Sequence, residues 1–537
     1  MWYKAEANVA SEYAGKILYD NGLTPIYVSD NPVLNAQHVL FEAAKGYKYG
    51  LPYHAALAAV TTAPAERLGF GNRLGKIKPG FDADVVVWDS DPLSVGAAPV
   101  QVWIDGTAQY DDPVVLKKPV AEVIVPDESL SKIPEGPVAM DEVVFTGVSK
   151  VLLNDDVKDL SDNNAVVVSK GKVTCIGACE AELQAASRSN TPIIKLNNGY
   201  LTESLTAFGS KIGLNAVDAE KDTDNGPSGT SFTRAEDGLA LDTQKTNTSY
   251  NYGVTKAITA PKLRGADTNY GTSVGFLTGA LSPLSNNTVF ASDAAVHYTL
   301  TPAIKSAHPD TPSISAAIAA LRTKLLTATT TTTTTTTTTD ATNHYSEASY
   351  LRLVTNGTLP LIITVHSADT IAALLKLKTT LEATTHTPLR LILHGAAEAH
   401  LLAADLAAAR IPVILAPLFS YATTWDQRRA LTGAPLTQGT GVDRLVAAGV
   451  RVGIGLEEDW VVRDLGLLAG TVWRNGEGRV DEKGALGMVG SGLFEILGVE
   501  EPGVGEGHFV VWEGSPLGIG GRVKGVSGGR GWVDVWE

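Results

Sequence analysis

The sequence predicts an α/β protein built on a barrel-like alternation of strands and helices, with small all-β pieces before and after it. Three observations carry that expectation. From Leu359 onward, apolar runs alternate with helical stretches: Leu359 to His366, Arg390 to His394, Val413 to Ala416 and Val450 to Leu456. Fully buried parallel strands read as unbroken apolar runs, and the helices between them supply the crossovers. Runs rich in β-branched residues and bounded by turn signals, such as Val85 to Trp88, Val143 to Thr146 and Phe509 to Trp512, lie outside that rhythm. An internal repeat links the two ends of the chain.

Taken in order, Ser11 to Asp20 is helical, with Ala14, Ile17 and Leu18 on one face and Asn21-Gly22 as its stop. Pro25 to Ser29 then reads as a short buried strand that delivers Asp30 at its carboxyl end, the place where barrels of this rhythm keep their chemistry. Helices are expected over Val33 to Tyr49 and Tyr53 to Leu68, and strands over Leu74 to Trp103. Residues 111–140 are rich in Pro, Asp, Glu and Lys and read as a linker.

A second β segment starts at Val143 and continues to Gly177, with Lys170-Gly171-Lys172 as a hairpin turn. Glu220 to Tyr250 is polar and Gly-rich, a long loop. The threonine run Thr329 to Thr339 has like chemistry at every position and is expected to be disordered.

Length and composition bound the function. A chain of 537 residues is too long for one ordinary core and predicts roughly two to four domains. A net charge of -15 argues against nucleic acid, because phosphate binding needs surplus Lys and Arg. Cys175 and Cys179 are the only cysteines, too few for a disulfide framework, and the pair reads as reduced. No apolar run is long enough to span a bilayer and the first residues lack a signal-peptide pattern, so no membrane partner and a cytoplasmic location are expected.

The repeat relates Ala485 to Gly498 and Phe509 to Leu517 to Ala56 to Gly69 and Val85 to Leu93, at a near-constant offset. Ala448 to Leu456 likewise parallels Asn21 to Ser29. Two copies of one unit are therefore expected. The second copy runs from about Asp141 to Glu537. The first has only its last barrel turns and closing strands, so the chain is expected to be truncated at its amino end by roughly three hundred residues.

At Leu74-Gly75-Lys76-Ile77-Lys78-Pro79-Gly80-Phe81-Asp82-Ala83-Asp84 and the strand after it, with Thr61 to Gly69 before, the sequence resembles the C-terminal signature of the amidohydrolase superfamily. The layout is similar to two-unit amidohydrolase-related proteins near N-acetylglucosamine-6-phosphate deacetylases and imidazolonepropionase-like enzymes. The resemblance implies a (β/α)8 metal-hydrolase-like barrel with a composite β-sandwich, preceded by the C-terminal remnant of a second such unit. It divides the chain into the end of a first barrel (1–60), its closing sandwich strands (61–110), the linker (111–140), opening sandwich strands (141–200), a degenerate barrel (201–480) and a C-terminal helix with closing strands (481–537).

The resemblance also implies a divalent metal, zinc by preference, held by His-x-His after the first barrel strand, a carboxylated Lys or Glu after the fourth, His after the fifth and sixth, and Asp after the eighth. Such a metal lowers the pKa of bound water and the Asp carries its proton. Asp30 matches the eighth-strand Asp as catalytic residue and metal ligand, although it also suits a helix cap beside Asn31-Pro32. In the second copy His366 and His394 match the fifth- and sixth-strand ligands, while Gly209 and Lys211 stand where the two first-strand histidines belong and Glu457 where Asp30 repeats. His400 reads as a surface or supporting residue, and Trp425 to Arg429 as a solvated helix start or a pocket rim.

The implied function is metal-dependent hydrolysis of carbon–nitrogen bonds other than peptide bonds, deacetylase-like in its neighbourhood, with an incomplete site in this chain. The alternative is a noncatalytic pseudo-amidohydrolase scaffold or binding module. A small-molecule substrate is the expected partner, and a homo-oligomer is compatible with the sequence.

Overall fold

The computed structural model describes residues 3–31, 33–119, 124–127, 132–153, 156–160, 164–226, 232–261, 270–307, 312–330 and 344–536. Thr331 to Thr339, most of the threonine run, lies outside the described residues. Thr329 and Thr330 end the helix Ile314–Thr330.

The first segment carries short helices and a small antiparallel sheet of β1 (Val85–Trp88), β2 (Pro99–Ile104) and β3 (Thr107–Ala108). The helix expected over Tyr53 to Leu68 is split into Tyr53–Ala58 and Thr62–Arg67. Pro64 explains the break, since it has no N–H to donate and is tolerated only in a first turn, which requires the helix to restart just before it.

The strand expected over Pro25 to Ser29 does not form, and this corrects the sequence reading. The segment is irregular. Its backbone contact to Ala59, where Tyr27 N–H donates to the carbonyl at 3.1 Å, is not followed by a ladder. An apolar run becomes a strand only where a neighbour continues the pairing.

The second segment builds one nine-stranded sheet from both ends of the remaining chain. β4 (Val138–Met140), β5 (Glu142–Leu152), β6 (Val157–Asp159), β7 (Ala165–Ser169), β8 (Lys172–Gly177) and β9 (Ile193–Glu203) come before the central sheet. The expected hairpin forms with Lys170 at φ 49° and Gly171 at φ 69°, the left-handed pair that a tight two-residue turn requires.

Cys175 and Cys179 are joined in a disulfide, contrary to the reduced pair expected. A left-handed backbone at Cys179 (φ 43°) folds the chain back and sets the two Cα atoms 6.0 Å apart, within bridging distance.

β9 runs, after a break at Ser204, into the central sheet: β10 (Leu205–Phe208), β11 (Thr233–Arg234), β12 (Val254–Thr259), β13 (Gly271–Leu277), β14 (Val289–Thr299), β15 (Leu361–Val365), β16 (Leu391–Gly395), β17 (Val413–Leu415) and β18 (Val452–Ile454). The order is β10-β12-β13-β14-β15-β16-β17-β18, with β11 beside β13. Neighbours are parallel except around β13, which is antiparallel to both β12 and β14. Leu456, two residues beyond β18, donates its N–H to the Phe208 carbonyl at 2.8 Å, so the far edges of the curled sheet meet.

The chain then returns to the outer sheet with β19 (His508–Glu513), β20 (Arg522–Gly528) and β21 (Val533–Val535), giving the order β4-β21-β20-β19-β9-β5-β7-β8. Segments before and after the central sheet thus share one composite sheet.

Two further differences from the sequence reading concern polar segments. Inside the loop expected over Glu220 to Tyr250, Thr243 caps a helix at Gln244–Asn251, exchanging hydrogen bonds with Thr246 in a capping box. The expected linker is partly tied down: Val114 N–H donates to the Pro435 carbonyl at 2.9 Å and Lys118 Nζ meets Asp89 at 2.7 Å and Asn475 at 2.9 Å. Its last residues, Val138–Met140, join the composite sheet as β4. Among the described residues no helix is long and apolar enough to cross a membrane.

The interior of the central sheet is a dry layer of Phe208, Ile258, Ala295, Ile362, Ile392 and Ile414, packed against Leu493, Phe494, Ile496 and Leu497 of the helix Ser491–Leu497. That helix closes the amino-terminal end of the strands: Arg390, just before β16, donates to its Leu497 carbonyl at 2.5 Å. Phe494→Ala should therefore cost about 3–5 kcal/mol, lowering the urea midpoint with an unchanged m-value. A loss below about 1 kcal/mol would contradict a packed plug.

Candidate functional site

With one end plugged, chemistry is confined to the carboxyl ends of the strands. Parallel pairing puts partnered residues on one side of the sheet. The register aligns His297 with Ile362 and Ile392, and Thr299 with Thr364, His394 and Ile414. His297 and His394 therefore lie toward the carboxyl ends of β14 and β16, in register with residues of the apolar layer, and His366 directly follows the end of β15.

All three are buried, at 3%, 7% and 4% exposure respectively. His394 shares a hydrogen bond of 3.1 Å between its Nδ1 and Thr364 Oγ1, and its ring meets Phe208 edge-on at 5.7 Å. His297 lies 6.4 Å from the same phenyl ring. Burial pushes His297 down to a pKa of about 3, so it is neutral, and its Nε2 has no hydrogen-bond partner among the described residues. His297 was missed in the sequence, although it ends the apolar run Ala294-Ala295-Val296, the same signal that singled out His366 and His394.

The positions opposite these imidazoles are glycines. A Cβ placed on Gly209, which has φ 89°, would lie 2.7 Å from His394 Nε2, and one on Gly395 would lie 2.7 Å from His366 Cε1. The space that a side chain at position 209 would enter is occupied by the His394 imidazole. Lys211 turns elsewhere: its Nζ pairs with Asp224 Oδ2 at 2.9 Å and its backbone N–H donates to Asp459 Oδ1 at 2.8 Å.

Glu457 is half-buried, and its charge, after burial, helps raise the Tyr421 phenol pKa. The fully engaged acid on this loop is Asp459, two residues on, 4% exposed and paired to Lys245 at 2.5 Å. Sequence reasoning passed over Lys245 because it sits in the segment read as a loop.

Asp30 is exposed, at φ 51°, and its carbonyl accepts from Val33 N–H in its own turn. His400 lies half-buried in the short turn Ala399–Leu402. Arg429, from the segment read as a solvated start or a pocket rim, clamps Glu398, which has no solvent exposure: Nη2 meets Oε2 at 2.6 Å and the Arg429 N–H meets Oε1 at 3.1 Å. Glu398 Oε2 also accepts from Ala368 N–H at 3.0 Å. Burial works to raise the Glu398 pKa, but these donors outweigh it and hold it below the usual range. The loops after β15, β16 and β17 are stitched through that one carboxylate.

A divalent metal does not fit this mouth as it stands. Zinc needs three or four N, O or S donors converging at about 2.0–2.3 Å, and the first-strand positions offer Gly209 and a lysine already paired. Among the described residues, the group of three candidate ligands close enough to share an ion is Cys175, Cys179 and Glu182, and its sulfurs are spent in the disulfide. It includes neither Asp30, His366 nor His394.

Comparison with known proteins supports the lineage. Residues 41–110 match the family model described as the amidohydrolase family. The chain is 49% identical over 550 residues to amidohydrolase tasK of Hapsidospora irregularis, covering 95% of this chain and 56% of that protein. It thus spans about half the length of the curated relative it matches. The crystal structure of an amidohydrolase from Thermotoga maritima MSB8 superposes with a TM-score of 0.56 at 17% identity, covering 72% of this chain and 98% of that one, a likeness of fold. The resemblance to the amidohydrolases read from the sequence is shown by these matches, and divalent-metal hydrolysis is the chemistry of that lineage.

Two outcomes follow from this geometry. Gly209→His should lower stability by on the order of 2–4 kcal/mol, from the left-handed backbone and the displaced His394, without gaining an equivalent of zinc; urea unfolding and elemental analysis check it, and a stable, zinc-loaded variant would refute the packing argument.

His297 has a folded-state pKa far below its unfolded value near 6.5, so its contribution is complete above that pH and is lost as pH falls toward about 3. His297→Leu should therefore flatten the stability profile between about pH 6 and 4 by the slope of one proton, roughly 1.4 kcal/mol per unit. An unchanged slope would mean that His297 is not buried neutral.

Proposed function

We propose that residues 141–537 are a (β/α)8-derived amidohydrolase unit with a composite β-sandwich that has lost metal chemistry and works as a noncatalytic support. The protein it belongs to hydrolyses carbon–nitrogen bonds of a small-molecule substrate. The observation that carries this reading is the contact between His394 and Gly209: the first-strand ligand space is filled by another imidazole. The central sheet has eight strands on its path and a backbone bond joining its ends, which suits a modified barrel with one strand reversed.

Catalysis, on this reading, lies in the unit to which Asp30 belongs. Asp30 stands on an exposed turn rather than at a strand end, and it would act as the proton-carrying carboxylate only when the rest of that unit surrounds it. Amino-sugar phosphate deacetylation is the narrower form of the proposal, and the acidic chain offers little support for a phosphate.

The test is the metal content of the purified 537-residue chain and of its His366→Ala variant. Both should hold far less than one equivalent of zinc, manganese or iron. Stoichiometric metal that disappears in His366→Ala would overturn the proposal.

A further inference from the structure

Lys245 is the most unusual charged residue at the mouth of the central sheet. It sits in the first turn of the helix Gln244–Asn251, its side chain is wholly buried, and its Nζ touches three oxygens: Asp459 Oδ2 at 2.5 Å, Asp218 Oδ1 at 2.8 Å and Asn215 Oδ1 at 2.9 Å. An ammonium has three donors, and each here has an acceptor. Burial opposes its charge, but the Asp459 and Asp218 carboxylates outweigh that and raise its pKa, so it is protonated.

The elements it joins are those the sheet must hold together to stay closed on itself. Asp459 follows β18, Asn215 and Asp218 lie in the loop after β10, and Asp459 Oδ1 also takes the N–H of Lys211 beside Gly209. The first and last strands of the path are thus bridged, above the Leu456–Phe208 backbone bond, through one cation. Two carboxylates and an amide oxygen around a positive charge supply about half of the oxygen shell that a hard divalent ion takes, water being able to complete it. Here a side chain of the protein fills it.

We propose that the Lys245 ammonium is the built-in cation of this unit, holding the ends of β10 and β18 together without an exogenous ion, and that deleting its side chain exposes a latent oxygen-donor site for a hard divalent cation. This rests on the reading of the unit as noncatalytic and adds the device that makes its mouth self-sufficient. It also accounts for a buried lysine in a polar helix that packing alone does not require.

The experiment uses the whole 537-residue chain. Wild type should keep its Tm after exhaustive EDTA treatment and show no shift with millimolar Ca²⁺ or micromolar Zn²⁺. Lys245→Ala should lose roughly 5–10 °C, because the buried Asp459 and the half-buried Asp218 lose their shared partner, and millimolar Ca²⁺ should restore at least half of that loss. Adding Asp459→Asn to Lys245→Ala should abolish the Ca²⁺ response.

A wild type that loses Tm in EDTA and regains it with Zn²⁺ overturns both the noncatalytic reading and this inference. A metal-indifferent wild type whose Lys245→Ala variant is as stable as the parent, or ignores Ca²⁺, overturns the inference alone. If Lys245→Ala does not fold, Lys245→Met combined with Asp459→Asn replaces it: the double variant should be more stable than Lys245→Met by itself, because the buried Asp459 carboxylate left without its cation is then neutralised. A double variant no more stable than that single one overturns the inference.

Discussion

The bond from Leu456 N–H to the Phe208 carbonyl is the constraint on which the rest of the central sheet depends. A curled sheet whose edges do not meet leaves two rows of unpaired backbone groups and an interior open to water. Here the junction is only a few residues long. Everything around it reinforces it: Gly209 lets the chain turn away at φ 89°, His394 packs onto that glycine, and Asp459 reaches across to Lys211 and Lys245. Filling the mouth and closing the sheet are one structural solution.

The same economy appears on the far side of the mouth. Glu398 has no solvent exposure and a charge, which is costly unless it is paired and hydrogen-bonded. Ala368 N–H, Arg429 N–H and the Arg429 guanidinium engage both of its oxygens and tie the three loops together. Charged groups that look functional by residue type are here spent on cohesion.

The sequence made part of this legible. The rhythm from Leu361 to Ile454 could be read because strands buried on both faces are apolar throughout, and His366 and His394 stood out as polar punctuation at their ends. His297 obeyed the same rule but lay before the threonine run, outside the stretch in which the rhythm was counted. β13 could not be placed: its antiparallel direction is set by pairing with β12 and β14, not by any local pattern. Lys245 was hidden by composition, since Gln-Lys-Thr-Asn-Thr-Ser is a poor helix former and becomes one through the Thr243 cap and burial against neighbours. The run Pro25 to Ser29 failed the other way, apolar enough for a strand but with no ladder following its single bond to Ala59 within the described residues.

The contact between Gly209 and His394 also bears on how such a unit changes over evolutionary time. A histidine introduced at position 209 meets the His394 imidazole, and His394 cannot move aside without giving up its bond to Thr364. A histidine placed there by itself is a step downhill in stability. Drift can therefore vary the surface of this barrel freely, while position 209 is held small by side chains that fit each other too well to admit a larger one.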